Sequence, residues 1–433
     1  MFRKIFVDLL DWKKNLNKKP LIIQGARQVG KTWIMQEFAQ KEYKNYLYVN
    51  FERDRDVANI FENNLDPKFI IENLEIKYDK KITEQDTLII FDEIQECPNA
   101  LTSLKYFCEE TKYNIVCAGS FLGIALHKNT SFPVGKVEFL SLHPLDFKEF
   151  LIANDKEKLV NILNKQDFNQ IKIFKNEFEN NLKLYFYIGG MPEVVQEYVN
   201  NKNLLTARKI QERIVESYIN DFSKHVEKNV FTKMLDLWRS IPSQLSKENR
   251  KFIYKNIKEG ARSKDYEIAM QWLNDCGLIH KVKRISKPNF PINSYIDNSN
   301  FKLFLVDIGL LSCLSSLDSK VIIEGSDIFN EFKGSLTEQF VLQELKASNK
   351  LLINYWTNKN GNAELDFIIQ KNRYIIPIEV KATVNLQAKS LKVYNELFKP
   401  ELSIRTSLAD YKKTDNLYDI PLYTISSFVS NIN

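Results

Sequence analysis

Up to about residue 142 the chain alternates short apolar runs, at Leu21–Gln24, Tyr46–Phe51, Leu88–Phe91, Ile115–Ala118 and Val137–Leu140, with stretches of helical spacing. Short apolar runs of this kind suit strands buried on both faces, and helices between them supply the cover, so the pattern predicts a parallel α/β sheet. From residue 145 to about 220 the spacing is helical, broken at Tyr187-Ile-Gly-Gly-Met-Pro192, where two glycines and a proline predict a turn or hinge. A helical subdomain is the simplest reading of that stretch. Farther on, Lys251–Lys258 reads as a helix and Gly260 as a turn. Ser263 then caps a second helix with Ile268, Ala269, Trp272 and Leu273 on one face, and Gly277 stops it. The basic strand Leu278–Ile285 follows, which completes the order of a winged helix-turn-helix; a helical lid that docks on another domain is the competing reading. Between Ala363 and Lys381 two apolar strands flank a polar tip, the mark of a β-hairpin. With Asn372-Arg373 as its loop, Asp366 lies opposite Glu379 and Glu364 opposite Lys381, all four on one face.

Composition narrows the class. A chain of 433 residues corresponds to about three domains, and 44% hydrophobic with 12% aromatic residues is ample for packed cores rather than disorder. The start is interrupted by Asp8 and Asp11, and no apolar run reaches the length of a membrane span, so a cytoplasmic protein with no membrane partner is expected. Five cysteines without a C-x-x-C pair and four histidines without ligand spacing predict reduced thiols and no zinc site. The net charge of +6 is unevenly placed. Residues 224–287 hold 15 Lys and Arg against 7 Asp and Glu, a basic block in an otherwise nearly neutral chain. Such a block is the electrostatic footprint of a DNA partner; a solvated Lys-rich surface is the competing reading.

The first concentration of chemistry is the loop after the first apolar run, where Gly25, Ala26, Arg27, Gln28, Val29, Gly30, Lys31 and Thr32 match G-x-x-x-x-G-K-[ST]. Glycines let the backbone wrap the β- and γ-phosphates with its N–H groups inward. Lys31 adds a mobile charge, and the Thr32 hydroxyl is placed to hold Mg²⁺. The third run, Thr87-Leu-Ile-Ile-Phe-Asp92, ends in Asp92 and Glu93, two carboxylates at the edge of a parallel sheet where ligands bind. Asp92 reaches the same ion through water, and Glu93 polarises the water that attacks the γ-phosphate, which predicts hydrolysis as well as binding. Ser120, after the fourth run, either senses the γ-phosphate or caps a helix. ATP and Mg²⁺ are the expected cofactors.

A second concentration lies near the C-terminus. Facing Cβ atoms across a hairpin are about 4.5–5.5 Å apart, so Asp366 and Glu379 are placed to share a Mg²⁺ or Mn²⁺ ion, with Lys381 beside the reacting phosphate or the attacking water. Upstream, Glu338 lies among Val341, Leu342 and Leu345 at helical spacing, and a carboxylate on an apolar face needs a partner. A cation from the chain or a metal would serve. Sharing the metal would make Glu338, Asp366, Glu379 and Lys381 a nuclease-type centre; cross-strand ion pairs and a satisfied buried glutamate are the competing reading.

Taken together, Gly25–Thr32, Phe91-Asp-Glu-Ile-Gln95, Ala118-Gly-Ser120, Leu142-His-Pro-Leu-Asp-Phe147, Gly189-Gly-Met-Pro-Glu193, Glu364-Leu-Asp-Phe367 and Ile378-Glu-Val-Lys381 resemble the bacterial and archaeal AAA-family ATPases that end in a restriction-endonuclease-like domain of unknown function. The resemblance covers nearly the whole chain. It implies an α/β fold with a P-loop AAA+ core over residues 1–145, a helical subdomain over 146–222, a winged-helix region over 223–300 and a nuclease-like domain over 301–433. The expected function is a nucleotide-driven ATPase switch acting on DNA. An ATP-dependent signalling or protein-interaction switch with a non-catalytic last domain is the alternative, and both admit a homo-oligomer. The family carries Gly-Arg before its fifth strand, whereas this chain has Gly135-Lys136. An ammonium lacks the guanidinium fork, so an arginine-finger role does not transfer to Lys136, and Arg53 and Arg55 stand as substitutes.

Overall fold

The computed structural model describes residues 1–119, 132–246, 251–319, 330–347, 351–358, 360–382 and 389–432. It divides into two compact units, one made of Phe2–His143 with Asp275–Gly277, the other of Met1, 144–274 and 278–433.

The five apolar runs form the sheet of the first unit: β1 (Leu21–Gln24), β2 (Asn45–Asn50), β3 (Thr87–Asp92), β4 (Asn114–Ala118) and β5 (Glu138–Ser141). All neighbours are parallel, in the order β2-β3-β4-β1-β5. Every residue of β3 and β4 is buried, which is what a run without polar alternation requires. On one side Phe51, Phe61 and Phe91 form a ring cluster with centroids 5.5–5.8 Å apart, and Phe107, Leu104 and Ile94 extend it. Parallel strands deliver their C-terminal ends to one edge. With only β4 between them, β1 and β3 bring the glycine loop and the Asp92-Glu93 pair to that edge together.

The second unit holds an eight-stranded sheet of β6 (Ile279–Ile285), β7 (Ile296–Leu305), β8 (Leu352–Thr357), β9 (Glu364–Lys371), β10 (Tyr374–Val380), β11 (Ser403–Ser407), β12 (Lys412–Thr414) and β13 (Leu417–Pro421). Their order is β12-β13-β11-β10-β9-β8-β6-β7. The β9–β10 hairpin turns at Asn372 with φ 52°, and its pairs run from Tyr374 opposite Lys371 to Ile378 opposite Phe367, the register expected from a two-residue loop. β8 is antiparallel to β9, and β11 is parallel to β10 after the helix Lys389–Phe398.

Two sequence expectations change here. Lys251–Lys258 is not a helix; only Tyr254–Asn256 makes a 3₁₀ turn. Its backbone is drawn to other partners: the Phe252 N–H donates to Phe301 O at 2.8 Å, its ring stacks on Phe301 at 5.5 Å, and the Gln244 amide bonds both the N–H and the C=O of Ile253. The basic strand β6 does form and pairs antiparallel with β7, but its other edge pairs parallel with β8. It therefore belongs to the same sheet as the C-terminal hairpin. The helical stretch likewise shares its unit with the C-terminal residues: Phe178 stacks on Tyr423 at 4.6 Å, Phe168 on Tyr411 at 3.9 Å, and Gln166 donates to Ser427 O.

The helix Asn330–Lys346 ties this unit together. The Gln339 amide bonds both backbone groups of Leu305, Gln343 accepts from the Ile308 N–H, and Glu344 accepts from Phe147 N–H at the start of the helix Phe147–Ala153. Buried amides survive only with partners, and here they satisfy strand ends and helix starts. Among the described residues no helix is long and apolar enough to cross a membrane.

Candidate nucleotide site and carboxylate centre

At the glycine loop, two backbone positions restrict the residue type. A Cβ on Gly25 would lie 2.2 Å from Leu142 O, and Gly30 stands at φ 93° where the chain turns into the helix Lys31–Glu42. Lys31 is buried, and its Nζ donates to the Gly25 and Ala26 carbonyls at 3.0 and 2.9 Å, curled back onto its own loop. Burial lowers its pKa, while Glu93 and Asp92 pull it the other way. Thr32 Oγ1 donates to Asp92 Oδ2 at 2.7 Å, and Tyr48 Oη donates to the same oxygen at 2.8 Å. Burial pushes the Asp92 carboxyl up, against the hydrogen bonds from Thr32 and Tyr48. Glu93 follows at φ 50°, and its Oε2 accepts from Gln95 Nε2 at 2.6 Å.

A hydroxyl and a buried carboxylate in contact at the mouth of a glycine loop are hard oxygen donors suited to Mg²⁺, so this donor set fits a magnesium nucleotide. Gly25, Ala26, Arg27, Gln28, Val29 and Gly30 form the loop, and Lys31, Thr32, Asp92 and Glu93 gather at its end. Ser120 lies outside the described residues. Tyr48 and Gln95 are additions that the sequence reading did not make; Gln95 stands two residues beyond Glu93 in the quoted motif, whereas nothing local marks Tyr48. Lys136 pairs with Glu109 at 2.9 Å, which occupies its charge.

In the second unit, Glu338, Asp366 and Glu379 are all buried, and Glu379 Oε1 pairs with Lys381 Nζ at 2.6 Å. Asp366 Oδ2 accepts from the Val380 N–H at 2.8 Å. Burial first, and then the charge of Asp366, push Glu379 up to about 7, while Lys381 and Lys302 act in the opposite direction. The residue that sequence reading missed is Lys302. It is wholly buried on β7, within 2.6 Å of Glu364 Oε1, 3.7 Å of Glu338 Oε2 and 3.8 Å of Asp366 Oδ1. Its only sequence mark is a lysine within the apolar run Phe301-Lys-Leu-Phe-Leu305. Among the described residues no group of three Asp, Glu, His or Cys side chains is spaced to hold an ion. Asp366 and Glu379, expected from the hairpin to share a metal, engage the Val380 N–H and Lys381. A lysine supplies the positive charge, and the donor set as it stands does not fit Mg²⁺ or Mn²⁺.

The basic block is partly spent on its own fold. Arg284 is engaged by Asp297 at 2.6 Å and by Thr357, and Lys281 lies over the Phe301 ring at 4.0 Å. Arg262 and Lys264 are exposed at the start of the helix Ser263–Asp275, as are Gln271 and Asn274 farther along it. That helix and β6 border a groove of about 560 Å³ that Lys281 and Lys283 also line. Lys247 and Arg250 lie outside the described residues, and the side chain of Lys224 is not described.

Compared with known proteins, residues 17–151 match the AAA domain family. Residues 179–321 match a domain of unknown function, DUF8612, and residues 333–425 another, DUF4143. No curated protein matches the chain. Among solved structures it is similar to the Walker-type ATPase PABY2304 of Pyrococcus abyssi, at 12% identity and a TM-score of 0.45 over 72% of this chain and 95% of that one. It is also similar to the ORC1 protein of Aeropyrum pernix solved in complex with DNA, at 13% identity and a TM-score of 0.31 over 73% and 93%. Cdc6p from Pyrobaculum aerophilum follows at 11% identity and a TM-score of 0.25 over 74% and 93%. The AAA match contains Gly25–Thr32, Asp92 and Glu93, so the first unit carries a P-loop AAA domain.

Proposed function

We propose that this protein is a Mg²⁺-dependent ATPase whose nucleotide state sets its grip on DNA. The observation that carries the reading is the 2.7 Å bond between Thr32 Oγ1 and Asp92 Oδ2 beside the buried Lys31, in a segment that matches an AAA domain. Thr32 and Asp92 are the residues that would hold the ion, which when bound neutralises charge on the β- and γ-phosphates. Lys31 exchanges the Gly25 and Ala26 carbonyls for phosphate oxygens. Glu93 is the general base that orients the attacking water, and the Gln95 amide holds its carboxylate.

DNA is the client that the second unit supports best. With Lys228–Leu245 in place of the expected first helix, the order of that helix, the 3₁₀ turn Tyr254–Asn256, the helix Ser263–Asp275 and the β6–β7 hairpin supports a winged helix, in which Arg262 and Lys264 lead the second helix, where a reading helix meets a groove. Against this, Glu267 is exposed on the same helix and Arg284 is already paired. The succession of the helix Asn330–Lys346, three antiparallel strands, a helix and a parallel strand supports a restriction-endonuclease-like architecture for the C-terminal part. A switch that acts on a protein partner, with that part non-catalytic, is favoured by one observation, the lysine among its carboxylates.

The test is DNA affinity, measured by fluorescence polarisation with ATP held on Glu93→Gln protein and with ADP, across a salt series. The proposal expects at least a tenfold difference between nucleotide states and a steep salt slope that falls by about one for each of Arg262→Ala and Lys264→Ala. Equal affinities with a shallow slope would favour the protein partner.

A further inference from the structure

Among the described residues outside the nucleotide site, a group of buried charges surrounds Lys302. Its ammonium is fully enclosed and lies at ion-pair distance from carboxylates on two other elements: Glu338 on the helix Asn330–Lys346, and Glu364 and Asp366 on β9. A buried ammonium is tolerated only with such partners, and buried carboxylates need a cation in turn. Each side therefore explains the other. The remaining oxygens nearby are largely committed, since Asp366 Oδ2 takes the Val380 N–H and Glu379 Oε1 takes Lys381. A divalent ion on Asp366 would stand close to the Lys302 ammonium, in a low-dielectric interior where like charges repel strongly.

We infer that Lys302 is the permanent cation of this centre and closes it to divalent metal, so that the C-terminal domain keeps the residues of a metal-dependent nuclease without its metal. The consequence is specific. Removing the ammonium while keeping the bulk, as in Lys302→Met, takes away the cation that Glu338, Glu364 and Asp366 surround, and a divalent ion then becomes the charge that can draw these carboxylates together in its place. Glu379 Oε2, buried and without a hydrogen-bond partner among the described residues, is the oxygen best placed to gain a ligand there.

This inference does not rest on the ATPase reading, and the experiment separates the two by using full-length protein carrying Asp92→Asn, which removes the carboxylate expected to hold magnesium at the nucleotide site. Titration with MnCl₂, followed by the electron paramagnetic resonance of free Mn²⁺, is expected to show no micromolar site in that parent. It should show about one site in the Lys302→Met variant, lost again when Asp366→Asn is added. A micromolar Mn²⁺ site in the parent that Asp366→Asn abolishes overturns the inference. So does nicking of supercoiled DNA by wild-type protein in Mn²⁺ that the same substitution abolishes. If Lys302→Met fails to fold without metal, recovery of its thermal transition by Mn²⁺, with no such shift in the parent, supports the inference. The parent titration decides it in any case.

Discussion

At the scale of single residues, the proposed function separates binding from chemistry. Lys31 holds the Gly25 carbonyl and Thr32 holds Asp92, whereas the Glu93 carboxylate is held by Gln95. Lys31→Met is expected to weaken ATP binding by roughly 10- to 100-fold, the worth of a charge-assisted contact of about 1.5–3 kcal/mol, measured by calorimetry. Glu93→Gln should leave that affinity within a few-fold and lower turnover by roughly 10²- to 10⁴-fold, the usual share of a general base. Both residues stand out in the sequence because each lies in a short contiguous motif, Lys31 in Gly25–Thr32 and Glu93 in Phe91–Gln95. Lys302 does not. It stands on β7, whereas its partners stand on the helix Asn330–Lys346 and on β9, and a lysine in an apolar strand does not say which carboxylate it will meet.

At the scale of elements, the register of the β9–β10 hairpin was legible next to its loop, because side chains alternate and a two-residue loop fixes the pairs from Tyr374–Lys371 to Ile378–Phe367. Its turn depends on Asn372 at φ 52°, so Asn372→Val should cost about 1–2 kcal/mol in urea unfolding while Asn372→Gly stays near neutral. Pairings across long stretches of chain were not legible. Nothing in Leu278–Ile285 announces that its second edge will meet β8, and the Lys251–Lys258 pattern gave way to tertiary bonds from Phe301 and Gln244. A buried aspartate joins two of these elements. Asp307 caps the helix Ile308–Leu314 through the Leu310 N–H and accepts from the Gly190 N–H, and burial raises its carboxyl to about 6. A folded pKa above the unfolded value of about 3.9 means that this group favours the fold when protonated and loses that contribution as pH rises through about 6. The difference is about 3 kcal/mol at most. Unfolding of wild-type protein is therefore expected to lose stability between pH 4 and 6.5 relative to Asp307→Asn, in which the group cannot ionise; parallel pH profiles for the two would contradict the assignment.

At the scale of the whole molecule, the chain joins a unit with a parallel sheet that carries the glycine loop and Asp92-Glu93 at one edge to a second unit in which helices and an eight-stranded sheet share one body. The parallel α/β character of the first was readable from its apolar runs, but the strand order that sets β1 and β3 one strand apart was not, because order is fixed by packing between distant segments. In the proposed function the second unit reports on the first through DNA. The most direct measurement is steady-state ATP turnover by the full-length protein in Mg²⁺ as a function of DNA concentration, with Glu93→Gln alongside. The account predicts turnover that changes severalfold on saturation with DNA and that is lost in Glu93→Gln; turnover that survives the substitution, or that is indifferent to DNA at low salt, would contradict it.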